Sequence, residues 1–315
     1  MSARSKTILV TGGSGFIGGN LISRFRDSRY NVIAPGHREL DLLSQDDVDR
    51  FFREHIGDCV IHCANVGGNR KTPDARDVVG RNLRMYCNIA RNSSRFERLI
   101  HFGSGAEYDK GRALRNIGEG AFGERIPLDE YGFSKYLISR QIEASEGAVC
   151  LRLFGVFGPG EDFEYKFISN AILKNLIGMP IRIMQNVYFD WLYVEDLMDV
   201  TRYFLENKPT HRAYNLTSGT TTDLLTIART INDLSYRQSE IEVVNQGLNL
   251  EYSGSNARLR GEIPGFNFTP IRKAIPKMMK YYREKIGSID LEMIRTDTYA
   301  SRCAINREKS GGNSL

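Results

Sequence analysis

Nowhere does this chain run apolar for the roughly 20 residues that carry a helix across a bilayer, so no membrane-spanning role is expected. Residues 1–6 lead directly into a strand pattern, without the apolar segment of a secretory signal. Cysteine is scarce: Cys59, Cys63, Cys87, Cys150 and Cys303 are odd in number, and no two have the CxxC spacing of a zinc or dithiol site. No metal is therefore expected. Cys59 and Cys63 fall in an apolar run and read as small core residues. Reduced thiols suit a cytoplasmic protein. There is also no basic run or arm. The 43 Lys and Arg are spread along the chain among 38 Asp and Glu, giving a formal charge of +5. A nucleic-acid partner is not favoured, whereas anionic small ligands are. No internal repeat and no low-complexity block is present.

What is present is a globular composition, 41% hydrophobic and 26% charged over 315 residues. That suffices for one large domain or two closely joined ones. Strand-like runs at Thr7–Val10, Tyr30–Ala34, Cys59–Ala64, Arg98–Phe102 and Ala148–Phe154 alternate with helical patterns at Gly18–Arg26, Asp46–His55, Asp77–Arg91 and Tyr131–Ala144. This rhythm predicts an α/β fold, a doubly wound parallel Rossmann sheet. After Gly158-Pro159-Gly160 it changes, which predicts a smaller, interleaved C-terminal lobe. The boundaries read as 1–155 with 188–217 for the dinucleotide domain, and 156–187 with 218–295 for the substrate lobe. Residues 296–315 read as a polar, mobile tail.

The strongest local signal is Thr11-Gly12-Gly13-Ser14-Gly15-Phe16-Ile17-Gly18, between a strand and a helix. Gly12, Gly15 and Gly18 let the chain turn tightly and let a pyrophosphate approach bare backbone at a helix N-terminus. A dinucleotide is the expected cofactor. An NAD site usually places a carboxylate at the end of the second strand. Here that end reads Ala34-Pro35-Gly36-His37-Arg38, and an Arg suits a 2′-phosphate. NADP(H) is preferred and NAD(H) remains possible. Asp41 is a later acidic candidate, better placed for the adenine.

Tyr131 and Lys135 stand four residues apart, on one face of a helix. A neighbouring ammonium lowers a phenol's pKa, and such a Tyr can exchange a proton with a carbonyl oxygen. Ser104 ends the preceding strand, at the edge where α/β sheets bind ligands, and can hydrogen-bond the same oxygen.

The glycine loop, Ser104, the Tyr131/Lys135 pair, Leu151-Arg152-Leu153-Phe154-Gly155-Val156-Phe157-Gly158-Pro159-Gly160 and Phe189-Asp190-Trp191-Leu192-Tyr193-Val194-Glu195-Asp196 occur in the order seen in extended short-chain dehydrogenases/reductases. The resemblance covers roughly residues 6–285. It implies that Ser104, Tyr131 and Lys135 are the catalytic triad and that Lys135 also holds the nicotinamide ribose. It further implies cofactor contacts from Phe16, Ile17, Leu42, Cys63, Ala64, Asn82 and Phe154, and a nucleotide-linked sugar as substrate. Many members pair as homodimers through the helix that carries the Tyr.

Departures from the family narrow the reaction. Gly105 and Ala106 stand where 4,6-dehydratases carry an Asp-Glu pair. In the GDP-fucose synthase-like branch, which the chain most resembles, a Cys and a His serve epimerisation. Ala106 and Lys166 occupy those places. What remains is a hydride step, so the resemblance implies an NADPH-dependent reductase of an NDP-4-keto-6-deoxy sugar in deoxysugar or surface polysaccharide synthesis. The alternatives are a 4-epimerase with tightly bound NAD and, least favoured, a non-catalytic dinucleotide sensor. Gly105, Ala106, Lys166, Arg182, Trp191 and Arg258 are the expected substrate contacts.

Overall fold

The computed structural model describes residues 5–26, 28–55, 57–68, 70–71 and 75–303. Along the chain come β1 (Thr7–Thr11), α1 (Phe16–Arg26), β2 (Asn31–Ile33), α2 (Gln45–Glu54), β3 (Cys59–His62), α3 (Val78–Ala90), β4 (Arg98–Ser104), β5 (Leu114–Ile117), α4 (Glu130–Glu143) and β6 (Ala148–Leu153). There follow β7 (Gly155–Phe157), α5 (Phe167–Ile177), β8 (Ile181–Asn186), β9 (Tyr188–Tyr193), α6 (Val194–Glu206), β10 (Ala213–Leu216), β11 (Thr221–Asp223) and α7 (Leu224–Asp233). Last are β12 (Ile241–Leu248), β13 (Tyr252–Gly254), α8 (Ala257–Glu262), α9 (Ile271–Lys285), α10 (Glu292–Arg295) and α11 (Thr298–Ser301).

Six strands pair in parallel in the order β2-β1-β3-β4-β6-β10. The order reverses between β1 and β3, which opens a crevice at their carboxyl ends. Strands buried on both faces read as continuous apolar runs. Ile8, Val10, Ile61, Ile100 and Val149 are all fully buried, each contributing about 1.5–3 kcal/mol. A second sheet, β11-β9-β13-β5 with β7 also on β9, joins the smaller lobe to the first. In that lobe α5, α7 and α9 close around Phe157, Ile172 and Met278.

The division of the chain departs from the sequence expectation in several places. Residues 188–193, which the pattern assigns to the dinucleotide domain, form β9 of the second sheet. β5, inside residues 1–155, also lies there because it pairs with β13. α8, assigned to the lobe, buries Leu259 in the core of the first sheet. The polar stretch after Thr296 folds as far as it is described: α11 buries Tyr299 and Ala300. Asp297 accepts hydrogen bonds from Lys174 (2.5 Å) and Arg182 (3.2 Å). Lys174 is a buried cation inside α5 and needs that carboxylate. Residues 304–315 lie outside the described residues.

One charge lies deepest in the main sheet. Arg152 on β6 is wholly buried, and its Nε donates to Glu107, also wholly buried, at 2.6 Å. Its Nη2 donates to Glu143 of α4 (3.0 Å) and its Nη1 to the Tyr108 hydroxyl (3.3 Å). Its guanidinium lies 3.9 Å from the Phe122 ring centroid. Burial alone lowers the Arg152 pKa, but Glu107 outweighs it and the group stays charged. Stripping one partner from such a pair costs about 3–5 kcal/mol. Arg152→Met is expected to lower unfolding free energy in urea by that amount without changing the slope. A loss under about 1 kcal/mol, the value of a surface pair, would show the pair to be dispensable.

Candidate active site

The phosphate loop is built by three close approaches. β1 ends on Thr11 and the chain turns through Gly12 at φ +69°, with the Gly15 N–H donating to the Gly12 carbonyl (3.1 Å). A Cβ on Gly12 would lie 2.6 Å from the Ala64 nitrogen at the end of β3, and one on Gly18 would press on the Gly12 carbonyl. Only glycine lets the turn sit in the β1/β3 crevice with its backbone bare. α1 begins at Phe16, earlier than the Gly18 start expected, and has no acidic residue in its first turn. Its free N–H groups and dipole therefore suit an anion, and the cradle fits a dinucleotide pyrophosphate. Phe16 and Ile17 pack partly into the first core and fix the helix start.

At the adenosine end, Gly36 to Leu40 form a turn in which Glu39 accepts from the Gly36 N–H (2.7 Å). His37 and Arg38 are exposed and have no hydrogen bond or ion pair among the described residues. Asp41 accepts from the Leu43 N–H (3.0 Å), and the Leu42 carbonyl accepts from Asn88 (2.9 Å). Cys63 is a neutral thiol, its pKa pushed up to about 12 by burial.

The three expected catalytic residues converge at the carboxyl edge. Ser104 ends β4, where its hydroxyl accepts from the Ala106 N–H (3.2 Å) and its own N–H donates to Glu107 (2.8 Å). Asp129 caps α4 by accepting from the Gly132 N–H (2.9 Å), which places Tyr131 in the first turn. The Lys135 ammonium donates to the Phe102 carbonyl (2.8 Å) and lies 5.9 Å from the Tyr131 ring centroid. The loop after β3 lies directly on the phenol: a Cβ on Gly68 would come within 2.5 Å of the Tyr131 ring. Asn82, an expected cofactor contact, fastens that loop to α4. It accepts from the Val66 N–H (2.8 Å) and donates to the Val66 carbonyl and the Ser134 hydroxyl (both 3.0 Å).

Electrostatics here depart from the sequence expectation. Burial pushes the Tyr131 phenol up to about 12, against the opposing hydrogen bond from Ser104. Burial likewise pushes Lys135 down to about 8, with Glu107 opposing. The expected lowering of Tyr131 by its neighbouring ammonium does not prevail, because burial of the phenol dominates. Two more buried groups flank Lys135. Burial pushes His62 down to about 3, and His101 also falls well below its usual value. His62 shares a 2.8 Å hydrogen bond with Thr11.

The expected substrate contacts divide. Gly105 and Ala106 lie beside Ser104, and a Cβ on Gly105 would meet the Phe154 ring at 2.5 Å. Phe154 thus fills space beside the triad. Lys166 is exposed at the start of α5. Arg182 is committed to Glu242 (2.8 Å) and Asp297. The Trp191 indole donates to the Thr222 carbonyl (2.9 Å), and Arg258 donates to the Ala213 carbonyl (3.0 Å). None of these four shares a hydrogen bond with Ser104, Tyr131 or Lys135. A side chain at Gly155 would meet the Asp190 carbonyl at 2.6 Å, so the β7–β9 approach leaves no room for one there. Sequence reasoning missed Tyr252, whose hydroxyl lies 3.3 Å from that of Ser104. Nothing in its local sequence marks it. Among the described residues, no group of three His, Cys, Asp or Glu side chains is placed to hold a metal ion, and no helix is long and apolar enough to cross a membrane.

Gly12→Ala adds a Cβ at a left-handed position and against Ala64. It is expected to cost about 1–3 kcal/mol of stability and to weaken NADPH binding at least tenfold by fluorescence titration. Binding within twofold of the native protein would contradict the cradle.

Over 97% of this chain and 99% of its own length, the ADP-L-glycero-D-manno-heptose-6-epimerase of Brachyspira hyodysenteriae is 24% identical. A GDP-L-fucose synthase from Azorhizobium caulinodans is 33% identical over 33% of this chain and 35% of its own. Among solved structures, the GDP-mannoheptose C4 reductase from Campylobacter jejuni with NADP bound superposes with a TM-score of 0.77 at 19% identity, covering 90% of this chain and 100% of that one. Residues 8–217 match the model of the NAD dependent epimerase/dehydratase family, and the chain belongs to that family of enzymes.

Proposed function

We propose that this protein is an NADPH-dependent reductase of a nucleotide-linked 4-keto sugar. The observation that carries the reading is the convergence of Ser104, Tyr131 and Lys135 beside the glycine cradle, with Ala106 where a proton-transferring epimerase needs an acid. When bound, the reduced nicotinamide supplies the hydride. The backbone N–H groups at the start of α1 hold the pyrophosphate, and Arg38, without a hydrogen bond or ion pair among the described residues, pairs with a 2′-phosphate. Tyr131 gives its proton to the sugar oxygen and Ser104 orients that oxygen. Lys135 holds the nicotinamide ribose, as the family resemblance implies.

A full-length relative is an epimerase, which favours a second reading: a nucleotide-sugar epimerase that removes and returns hydride with retained cofactor. We further propose a cytoplasmic homodimer. Its support is five free cysteines and the packing of α3 on α4, the helix pair used for dimers in the family the chain resembles.

The test follows NADPH absorbance with a panel of NDP-4-keto-6-deoxy sugars. Stoichiometric NADPH loss with one of them, abolished by Tyr131→Phe, is the expected result. No loss, together with nicotinamide cofactor released on denaturation, would overturn the reductase and leave the epimerase. The pH profile adds a sign. Lys135 carries its charge below about pH 8 and loses it as pH rises through that value, whereas Tyr131 keeps its proton to about 12. kcat/KM for reduction is therefore expected to fall above about pH 8, and a profile flat to pH 10 would contradict the role of Lys135.

A further inference from the structure

Tyr252 reaches the triad from the other end of the chain, 148 residues after Ser104. Its strand, β13, pairs with β5 and β9, and the Ser253 hydroxyl accepts from the Asn116 N–H (2.7 Å). Two glycines clear the space that fixes its ring. A Cβ on Gly105 would lie 2.5 Å from the Phe154 ring and 2.7 Å from the Tyr252 hydroxyl, and one on Gly254 would lie 2.6 Å from the far edge of Phe154. Phe154 thus sits between Gly105 and Gly254, with its ring centroid 5.0 Å from that of Tyr252.

A serine hydroxyl has one proton to give and two lone pairs. The Ala106 N–H occupies one lone pair of Ser104 at 3.2 Å. The Tyr252 hydroxyl has no other hydrogen-bond partner among the described residues. Either hydroxyl could donate in this part-buried contact; since an unsatisfied phenol proton carries a cost, we assign Tyr252 as the donor and Ser104, its one partner among the described residues, as the acceptor. Both lone pairs of Ser104 are then filled, and its own proton must point away from both donors, toward Tyr131 and the reacting oxygen.

We infer that Tyr252 is a positioning residue: by donating to Ser104 it commits the Ser104 proton to the Tyr131 side of the site. Tyr252 remains the neutral member of the set. Burial raises its pKa, and any charge forming on Tyr131 raises it further. The role concerns the triad of the reaction proposed above and so rests on that reading, but the hydrogen-bond chain itself is measurable without a substrate.

The experiment uses protein labelled with 13C at the tyrosine Cζ, with the Tyr131 and Tyr252 signals assigned by their Phe variants. Ser104→Ala is expected to move the Tyr252 signal, and Tyr252→Phe to move the Tyr131 signal. A Tyr131 signal unmoved by Tyr252→Phe, or a Tyr252 signal unmoved by Ser104→Ala, overturns the inference whether or not any sugar is reduced. With a reducible substrate, Tyr252→Phe is expected to lower kcat about tenfold or more and steepen the alkaline limb of its pH profile. KM, NADPH affinity and the thermal midpoint are expected to stay near native. A kcat within twofold of native would overturn it as well.

Discussion

The Glu107–Arg152 pair is the constraint on which the active site depends. Glu107 uses one carboxylate oxygen to hold the Ser104 backbone and the other to neutralise Arg152 on the next strand. Arg152 then reaches Glu143 at the far end of the helix that carries Tyr131 and Lys135. It also touches Tyr108, whose hydroxyl donates to Asn215 on β10 (2.7 Å). One buried ion pair therefore fixes the carboxyl ends of β4, β6 and β10 relative to α4. Ion pairs of this depth add little net stability compared with an apolar replacement of both partners. What this one supplies is geometry: the same two charges hold the Ser104 backbone and the far end of the helix that carries Tyr131.

The two halves of the site are built by different means. The cofactor half is backbone: a glycine turn seated in the crevice where the strand order reverses, and a helix start without acidic residues. The substrate half is side chains: Ser104, Tyr131, Tyr252 and Phe154, packed so closely that Gly68, Gly105 and Gly254 cannot carry a Cβ without overlapping aromatic rings. Such packing explains why Tyr131 and Lys135 are pushed in opposite directions from their ordinary values by the same cause, burial, which disfavours the charged form of each.

How much of this was legible in the sequence follows from the range of the interactions. The glycine loop, the parallel strands and the Tyr131/Lys135 spacing are local signals, and the structure places all of them together. Ser104 was legible because it ends a strand. Tyr252 was not, since its meeting with Ser104 depends on β13 pairing with β5, a contact between distant segments with no compositional mark. The same holds at α11, where polar composition suggests a mobile tail. Asp297 is there because Lys174, buried across the lobe, needs a counter-charge. Arg182 and Arg258 read as substrate contacts in the sequence, which gives no sign of the bonds they make to Glu242, Asp297 and the Ala213 carbonyl. Long-range partners of this kind are what a single sequence conceals.

One hydride delivered and one proton given is the chemistry we propose for this arrangement, and it calls for no second acid or base. The direct test is isotopic. NADPH carrying deuterium at its transferable position is incubated with a 4-keto sugar nucleotide in ordinary water, and the sugar product is weighed by mass spectrometry. A single deuterium on the newly reduced carbon is the expected result. A product without deuterium, which takes up label only from heavy water, would mean that protons next to the carbonyl are being exchanged, and would contradict a hydride-transfer centre built on Ser104 and Tyr131.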